Sequence, residues 1–307
     1  MKAWWLWCFF PFFAKGQERP ALWVDLVSGE PVRFAEMVDD LASARVVYAG
    51  ETHRIARHHA LQLQLLEALA ERGKRVVLGL EQIEVSDQEA VSRFNAGQLD
   101  FEGLAEAISW KNRWSNYLDY RAMVEKAQTL GLPVLALNAQ AEMVRKIGRG
   151  GLGALSEEER AALPELDLSH GAYRELLDQL LLTHAEFTPE MLGQVYAAQV
   201  TRDERMAETL AEFLRRPGEE ETMALVVVGS GHVRFGLGLP ERMARRWPGL
   251  RDRIVLFSDS GDLELTEAEQ AQARPVGITH QDLRDLGAPP GDYLHVTIPR
   301  PSEPAAE

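Results

Sequence analysis

The sequence predicts an α/β fold: a mostly parallel sheet flanked by helices, with a helical insertion capping the strand ends. Three observations predict it. Short apolar runs break at a glycine or a polar residue, as buried parallel strands do. They are Val46–Tyr48 before Gly50, Arg75–Leu80 before Glu81, Val134–Leu137 before Asn138, and Ala224–Val228 before Gly229. Segments of helical spacing separate these runs, and such alternation argues for parallel strands with helices on both faces. Between the third and fourth strands lies a helical block, Ala139–Arg216, too long to be a mere connection in a compact fold.

Bulk properties narrow the class further. The chain has 307 residues, 46% of them hydrophobic and 26% charged, enough for one large domain with a full core. A formal net charge of −14, with no long Lys/Arg run, excludes nucleic acid and an anionic membrane surface as main partners. Cys8 is the only cysteine, so no intrachain disulfide forms and cysteine-based metal sites are excluded.

Residues 1–16 read as a signal or anchor segment. Met1–Ala14 holds one lysine and then an almost unbroken apolar run, shorter than the ~20 residues a membrane-spanning helix needs. It resembles the n- and h-regions of a signal peptide, yet Phe12 stands at −3 to a cut after Ala14, where a small residue belongs. Export or anchoring predicts a cell-envelope location, periplasmic or membrane-attached; an exposed apolar tail or an early start predicts a cytoplasmic one. Ala21–Ser43 is mixed in pattern and is expected to wrap the edge of the fold.

After the first strand, Leu61, Leu65 and Leu69 repeat every four residues and mark the core face of a helix, with His58 and His59 at its start. Helices are expected around Asp87–Phe94, Phe101–Ser109 and Asp119–Leu130. Gly148–Gly153 satisfies G-x-G-x-x-G, but a helix precedes it where the dinucleotide fingerprint needs a strand, so it reads as a flexible break. Pro189 starts the longest helix, which carries Gln199, Arg202 and Asp203 beside its apolar face, as caps, ion pairs or site residues. Arg253–Phe257 and Tyr293–Ile298 read as further strands, and residues 300–307 as a disordered tail.

Two turns share one grammar. Gly50–His53 and Gly229–His232 each place a histidine three residues beyond the glycine that ends a strand. In open α/β sheets, ligands sit beyond the carboxyl ends of the strands. Glu51, His53, Glu81, Asn138 and His232 therefore converge if their strands are parallel neighbours. Two histidines with carboxylates are a workable ligand set for zinc, manganese or iron, which makes His53, Glu81 and His232 candidate metal ligands. Such a divalent metal ion would generate hydroxide near neutral pH; without it, His53 would act as a general base. Glu51, His53, Glu81 and His232 are thus the candidate catalytic residues. Against this stands a bland alternative, with Glu51 capping a helix and both histidines buried and hydrogen-bonded. Ser230 fails the G-x-S-x-G elbow, because Val228 and His232 occupy the glycine positions.

Trp110, Trp114, Tyr117 and Tyr120 fall at helical spacing, which suits either core packing or a flat aromatic surface for a planar ligand. Tyr117 and Tyr120 are the candidate haem-binding residues, since tyrosinate can ligate ferric iron.

The ordered segments GETHRIARHHALQLQLL, LGLEQ, SWKNRWSNYLDYRAMVEKA, LPVLALNA, AAQVTRDERMAETL, VVVGSGHVRFGLGLP and DYLHVTIP resemble the ChaN family of the Tiki superfamily, from about Val46 to Pro299. The resemblance implies a single ChaN-like domain over residues 17–299, with its helical insertion at about 139–216. It implies a fold shared with Tiki metalloproteases and erythromycin-esterase-like proteins. It also implies haem as cofactor or cargo, a part in bacterial iron or haem uptake, a homodimer, and membrane association through the N-terminus. In those relatives the groups matching His53, Glu81 and His232 are catalytic or metal-binding, so a metal-dependent hydrolase is the alternative function.

Overall fold

The computed structural model describes residues 21–182, 187–259 and 287–297. The expectations for Cys8, residues 1–16 and residues 300–307 lie outside the described residues. The strands are β1 (Ala21–Asp25), β2 (Pro31–Val32), β3 (Val46–Glu51), β4 (Arg75–Glu84), β5 (Val134–Asn138), β6 (Thr222–Gly229), β7 (Asp252–Phe257) and β8 (Tyr293–Thr297). They form one sheet in the order β2-β1-β8-β7-β3-β6-β4-β5. All pairings from β8 to β5 are parallel, and β1 runs antiparallel to β2 and β8.

The helices are α1 (Phe34–Leu41), α2 (Ala56–Glu71), α3 (Gln88–Asn95), α4 (Phe101–Ala107), α5 (Trp110–Arg113), α6 (Arg121–Thr129), α7 (Ala141–Gly150), α8 (Glu157–Ala161), α9 (Gly171–Leu182), α10 (Pro189–Leu214) and α11 (Leu239–Arg246). Alternate residues of each central strand face opposite layers, as the period of two demands. Val47, Ala49, Leu78, Leu225 and Val227 pack under α1, α2, α3, α4 and α6. Val46, Tyr48, Val77, Val226 and Val228 pack under α10 and α11. Both faces of the sheet are therefore dry, and β3 and β6 are buried from end to end. Among the described residues no helix is long and apolar enough to cross a membrane.

Three local readings change. Residues 21–43 do cover one edge of the sheet, but as β1, β2 and α1, strands and a helix that their mixed pattern did not announce, and β1 pairs antiparallel with β8. The glycine run Gly148–Gly153 is not a break throughout. Helix α7 runs to Gly150 and stops at Gly151, whose φ of +67° suits glycine. The aromatic stretch is a single short helix, α5, followed by a 3-10 turn at Tyr117–Tyr120, because Trp114 leaves the helix with extended dihedrals.

The order of the strands positions the site. β6 lies between β3 and β4, with Val47 opposite Leu225 and Leu78 opposite Leu225 on the other side. The ends of β3, β6, β4 and β5 are thus consecutive along one edge. Strand β4 extends beyond Leu80 to Glu84, but its pairing with β6 ends at Leu80 and its register with β5 slips before Glu84. Glu81 is the first residue past the regular ladder. The block between β5 and β6 supplies α7 to α10, and α10 packs on β5, β6, α7 and α11.

Candidate functional site

Glu51 closes β3 with its side chain buried, and five groups surround its carboxylate. His53 Nδ1 lies 2.8 Å from Oε1, the Tyr120 hydroxyl donates to Oε1 at 2.5 Å, and Gln82 Nε2 donates to it at 3.2 Å. Gln62 Nε2 donates to Oε2 at 2.8 Å, and His59 Nδ1 stands 3.2 Å from the same oxygen. Burial alone would raise this carboxyl, but the hydrogen bonds from His53 and His59 outweigh it and hold it at about 2. Burial likewise opposes charge on His53, yet Glu51 and Glu81 raise its pKa above the usual value.

Glu81, fully buried, accepts a hydrogen bond from Gly229 N at 2.6 Å through Oε2 and pairs with Arg202 through Oε1. His232 Nε2 lies 3.4 Å from the same Oε1. Burial raises the Glu81 carboxyl, but the His232 and Arg202 charges win and hold it well below the usual range. Asn138 Nδ2 donates to the Glu81 carbonyl at 2.8 Å, and Arg202 Nε donates to Asn138 Oδ1 at 3.2 Å.

His232 is backed by α10. Its Nδ1 is 2.5 Å from Asp203 Oδ1, and the Tyr173 hydroxyl holds the other carboxylate oxygen at 2.6 Å. Gln199 Nε2 approaches His232 Nδ1 at 2.9 Å. Burial lowers the imidazole, but Glu81 and Asp203 outweigh it and lift it to about 9. These two carboxylates favour the imidazolium form at neutral pH.

The close fit of these halves depends on one glycine. A Cβ at Gly229 would come within 2.9 Å of His53 Cε1 and Nε2, and 3.4 Å of Glu81 Oε2. The structure therefore brings Glu51, His53, Glu81 and His232 to one end of the sheet, with Asn138 beside them. It does not arrange them around a metal ion: among the described residues no group of three or more His, Cys, Asp or Glu side chains is placed to hold one. Arg202 and Gly229 N occupy Glu81, and Asp203 and Glu81 hold His232 toward its cationic form, whereas a metal binds neutral imidazole.

Both candidate tyrosines sit in the 3-10 turn. Tyr120 is fully buried, and its hydroxyl donates to Glu51. Burial and the Glu51 charge raise its pKa, the opposite of what a tyrosinate ligand needs. Tyr117 is half-buried, stacks on Phe101 with ring centroids 6.2 Å apart, and precedes Leu118, an exposed apolar residue. Of the two, Tyr117 alone borders the surface.

A cavity of about 290 Å³ opens beside the network, lined among others by His53, Glu81, Gln82, Trp110, Trp114 and Arg202. His53, 37% exposed at its side chain, meets Trp114 edge-on at 4.9 Å between centroids. Several neighbours in this network carry no motif of their own. Gln62, Gln82 and Tyr173 read from the sequence as ordinary polar or aromatic positions. The one available signal was adjacency, since Gln82 follows Glu81 directly.

A family model described as haem-binding uptake, Tiki superfamily, ChaN, matches residues 37–243, a span that holds Glu51, His53, Glu81, Tyr117, Tyr120, Asp203 and His232. The chain belongs to the ChaN family. Among solved structures, the ChaN of Campylobacter jejuni, described with cofacial haem binding, shares 19% identity over 91% of this chain and 97% of its own, with a TM-score of 0.66. That likeness shows the ChaN fold. An effector domain of a MARTX toxin from Vibrio vulnificus aligns over 84% of this chain and 42% of its own, at 16% identity and a TM-score of 0.42. An erythromycin esterase in its open conformation aligns over 76% of both chains, at 12% identity and a TM-score of 0.46. No curated protein matches the sequence.

Proposed function

We propose that this chain binds haem in bacterial haem or iron uptake at the cell envelope. The observation that carries the reading is the ChaN family match across the sheet edge and the aromatic segment. The cofacial haem of the Campylobacter ChaN supports it through a shared fold. Haem would supply the ferric iron to be held; the chain would supply the ligand. Tyr117 fits that role better than Tyr120, because its ring reaches the surface beside the exposed Leu118 while the Tyr120 hydroxyl is engaged by Glu51. The test is a haem absorbance titration of wild type, Tyr117→Phe and Tyr120→Phe. Expected is a high-spin ferric spectrum with a tyrosinate charge-transfer band that Tyr117→Phe removes and Tyr120→Phe keeps. A wild-type protein that fails to take up haem overturns the function; an unaltered band in Tyr117→Phe overturns the ligand.

A second reading, a hydrolase, is favoured by one observation. Glu51 fixes His53 through Nδ1 while the ring borders the cavity, the arrangement of an oriented proton acceptor. This reading uses no metal, since the residues do not fit one. It expects slow hydrolysis of p-nitrophenyl acetate that rises with pH, as His53 loses its proton, and that His53→Gln abolishes. Equal rates in wild type and His53→Gln would end it.

A further inference from the structure

The amino-terminal end of the sheet, opposite the candidate site, holds a second cavity of about 550 Å³. Its lining is basic, with Arg45, Lys74, Arg215, Arg216 and Arg251 set against only Glu220 and Glu221. In a chain of net charge −14, this is a local reversal of sign. No run of cations in the sequence announces it, because the fold gathers them from separate segments. Arg45, Lys74 and Arg251 each stand immediately before a strand, namely β3, β4 and β7.

The strand order brings these three within reach of one another. Arg45 N donates to the Arg251 carbonyl at 2.7 Å, so the two stand side by side on neighbouring strands. Only β6 separates β3 from β4, which sets Lys74 two strand spacings, ~10 Å, from the line of Arg45. Trp247 gathers two of the guanidinium groups, with Arg45 Cζ 5.7 Å and Arg215 Cζ 5.2 Å from its ring centroid. Helix ends account for part of this charge, since α10 and α11 both finish here and carbonyl ends attract cations. Arg45 donates to the Leu214 carbonyl at 3.1 Å and to that of Glu219 at 2.5 Å, and Arg215 donates to the Arg246 carbonyl. Carbonyls satisfy N–H groups but cancel no formal charge. Among the described residues, none of the five cations is held in an ion pair. The Arg251 guanidinium bonds Ser43 Oγ at 2.9 Å, and Arg216 lies over the Phe213 ring. Burial lowers the Arg45 guanidinium from its usual value in spite of Glu221, Glu219 and Glu220 nearby, so counter-charge is short.

We propose that this cavity binds the phosphate end of a small molecule, with Arg45, Lys74 and Arg251 as its charge partners and Arg215 closing over it. A terminal phosphate carries a charge of about −1.5 to −2 and three acceptor oxygens spread around a tetrahedron. Cations that arrive from three strand ends and from the end of α10 meet those oxygens from several sides. A carboxylate offers two oxygens in one plane and would leave most of the cations unmatched. A neutral ligand would answer none of them. The volume, about 550 Å³, suits a small molecule rather than a macromolecule. Strand β3 keeps this cavity roughly 20 Å from Glu51, at ~3.3 Å per residue, so the inference rests neither on haem binding nor on His53.

The experiment is isothermal titration of the full chain at low salt with pyrophosphate and with citrate, a carboxylate of similar charge. Pyrophosphate should bind at one site and more tightly than citrate. Lys74→Gln and Arg251→Gln, both at exposed positions, should each weaken pyrophosphate about tenfold, the loss of one charge-assisted contact, without lowering the melting temperature. Arg149→Gln removes an exposed cation of α7 outside the cavity and should leave the affinity unchanged. Flotation with phosphatidylcholine vesicles, with and without phosphatidic acid, separates the two sources of such a group. Association that requires phosphatidic acid and that pyrophosphate reverses makes the ligand a lipid headgroup; pyrophosphate binding without it makes the ligand a soluble phosphate ester. Three outcomes overturn the proposal: no saturable heat from pyrophosphate in the millimolar range, citrate bound as tightly as pyrophosphate, or an equal loss of affinity in Arg149→Gln.

Discussion

Gly229 shows how much of this site rests on a missing side chain. Its N–H holds Glu81, and its bare Cα lets the His53 ring lie against the strand end. Ala at this position would put a methyl group 2.9 Å from two ring atoms of His53, which would have to leave Glu51. The expected cost of such overpacking is about 1–3 kcal/mol in thermal or urea unfolding. The sharper readout is the His53 titration by NMR. In wild type Glu51 raises its pKa, so in Gly229→Ala it should fall as that hydrogen bond is lost. A variant with wild-type stability and an unshifted His53 would show that the ring tolerates the methyl group in place.

At the scale of elements, the strands were legible and the helix over their ends was legible only in part. Each of β3, β4, β5 and β6 announced itself by an apolar run and a polar stop, because a strand buried on both faces has no other way to be written. Helix α10 also declared its start: Thr188 caps it, accepting from Met191 N at 3.2 Å, and Pro189 follows. What could not be read was which of its polar residues face inward. Gln199, Arg202 and Asp203 lie on one face at spacings of three and four, the pattern of a solvated stripe as much as of a site. Asp203 and Glu204 are both fully buried, which only the third dimension shows. Glu204 answers Arg242, Arg245 and Arg246 of α11, and Asp203 answers His232. The hidden amides of Gln62 and Gln82 follow the same rule. A polar side chain inside a protein is identified by its partners, and here those partners are distant in the chain. Strand β1, one in from the edge of the sheet, escaped detection because it is short and only half-buried.

For the molecule as a whole, the network ties stability to pH on both sides. His232 is lifted from 6.5 to about 9, so the stability it contributes is complete below 6.5 and lost as pH rises through 9. A displacement of that size corresponds to roughly 3 kcal/mol, as an order of magnitude. Glu51 is depressed from 4.5 to about 2, so its contribution is complete above 4.5 and lost as pH falls toward 2. The melting temperature should therefore form a plateau between 4.5 and 6.5 and decline on either side. Calorimetry across that range checks it, and a melting temperature unchanged from 6.5 to 9 would show that His232 is not held as a cation.

The strand order has a consequence for how the chain is made. Ribosomal synthesis delivers β3, β4 and β5 long before β6, yet β6 separates β3 from β4 in the sheet. The nascent chain thus holds a slot between its first two central strands until residues 222–229 emerge. Glu51 and Glu81 have no common wall before then, since Gly229 is that wall. The contacts that complete the site span roughly 150 to 180 residues of sequence, the kind of separation that slows folding through the entropy of loop closure. The strand edge that carries the candidate site is therefore assembled among the last parts of the domain, and a chain ended before His232 carries half of it.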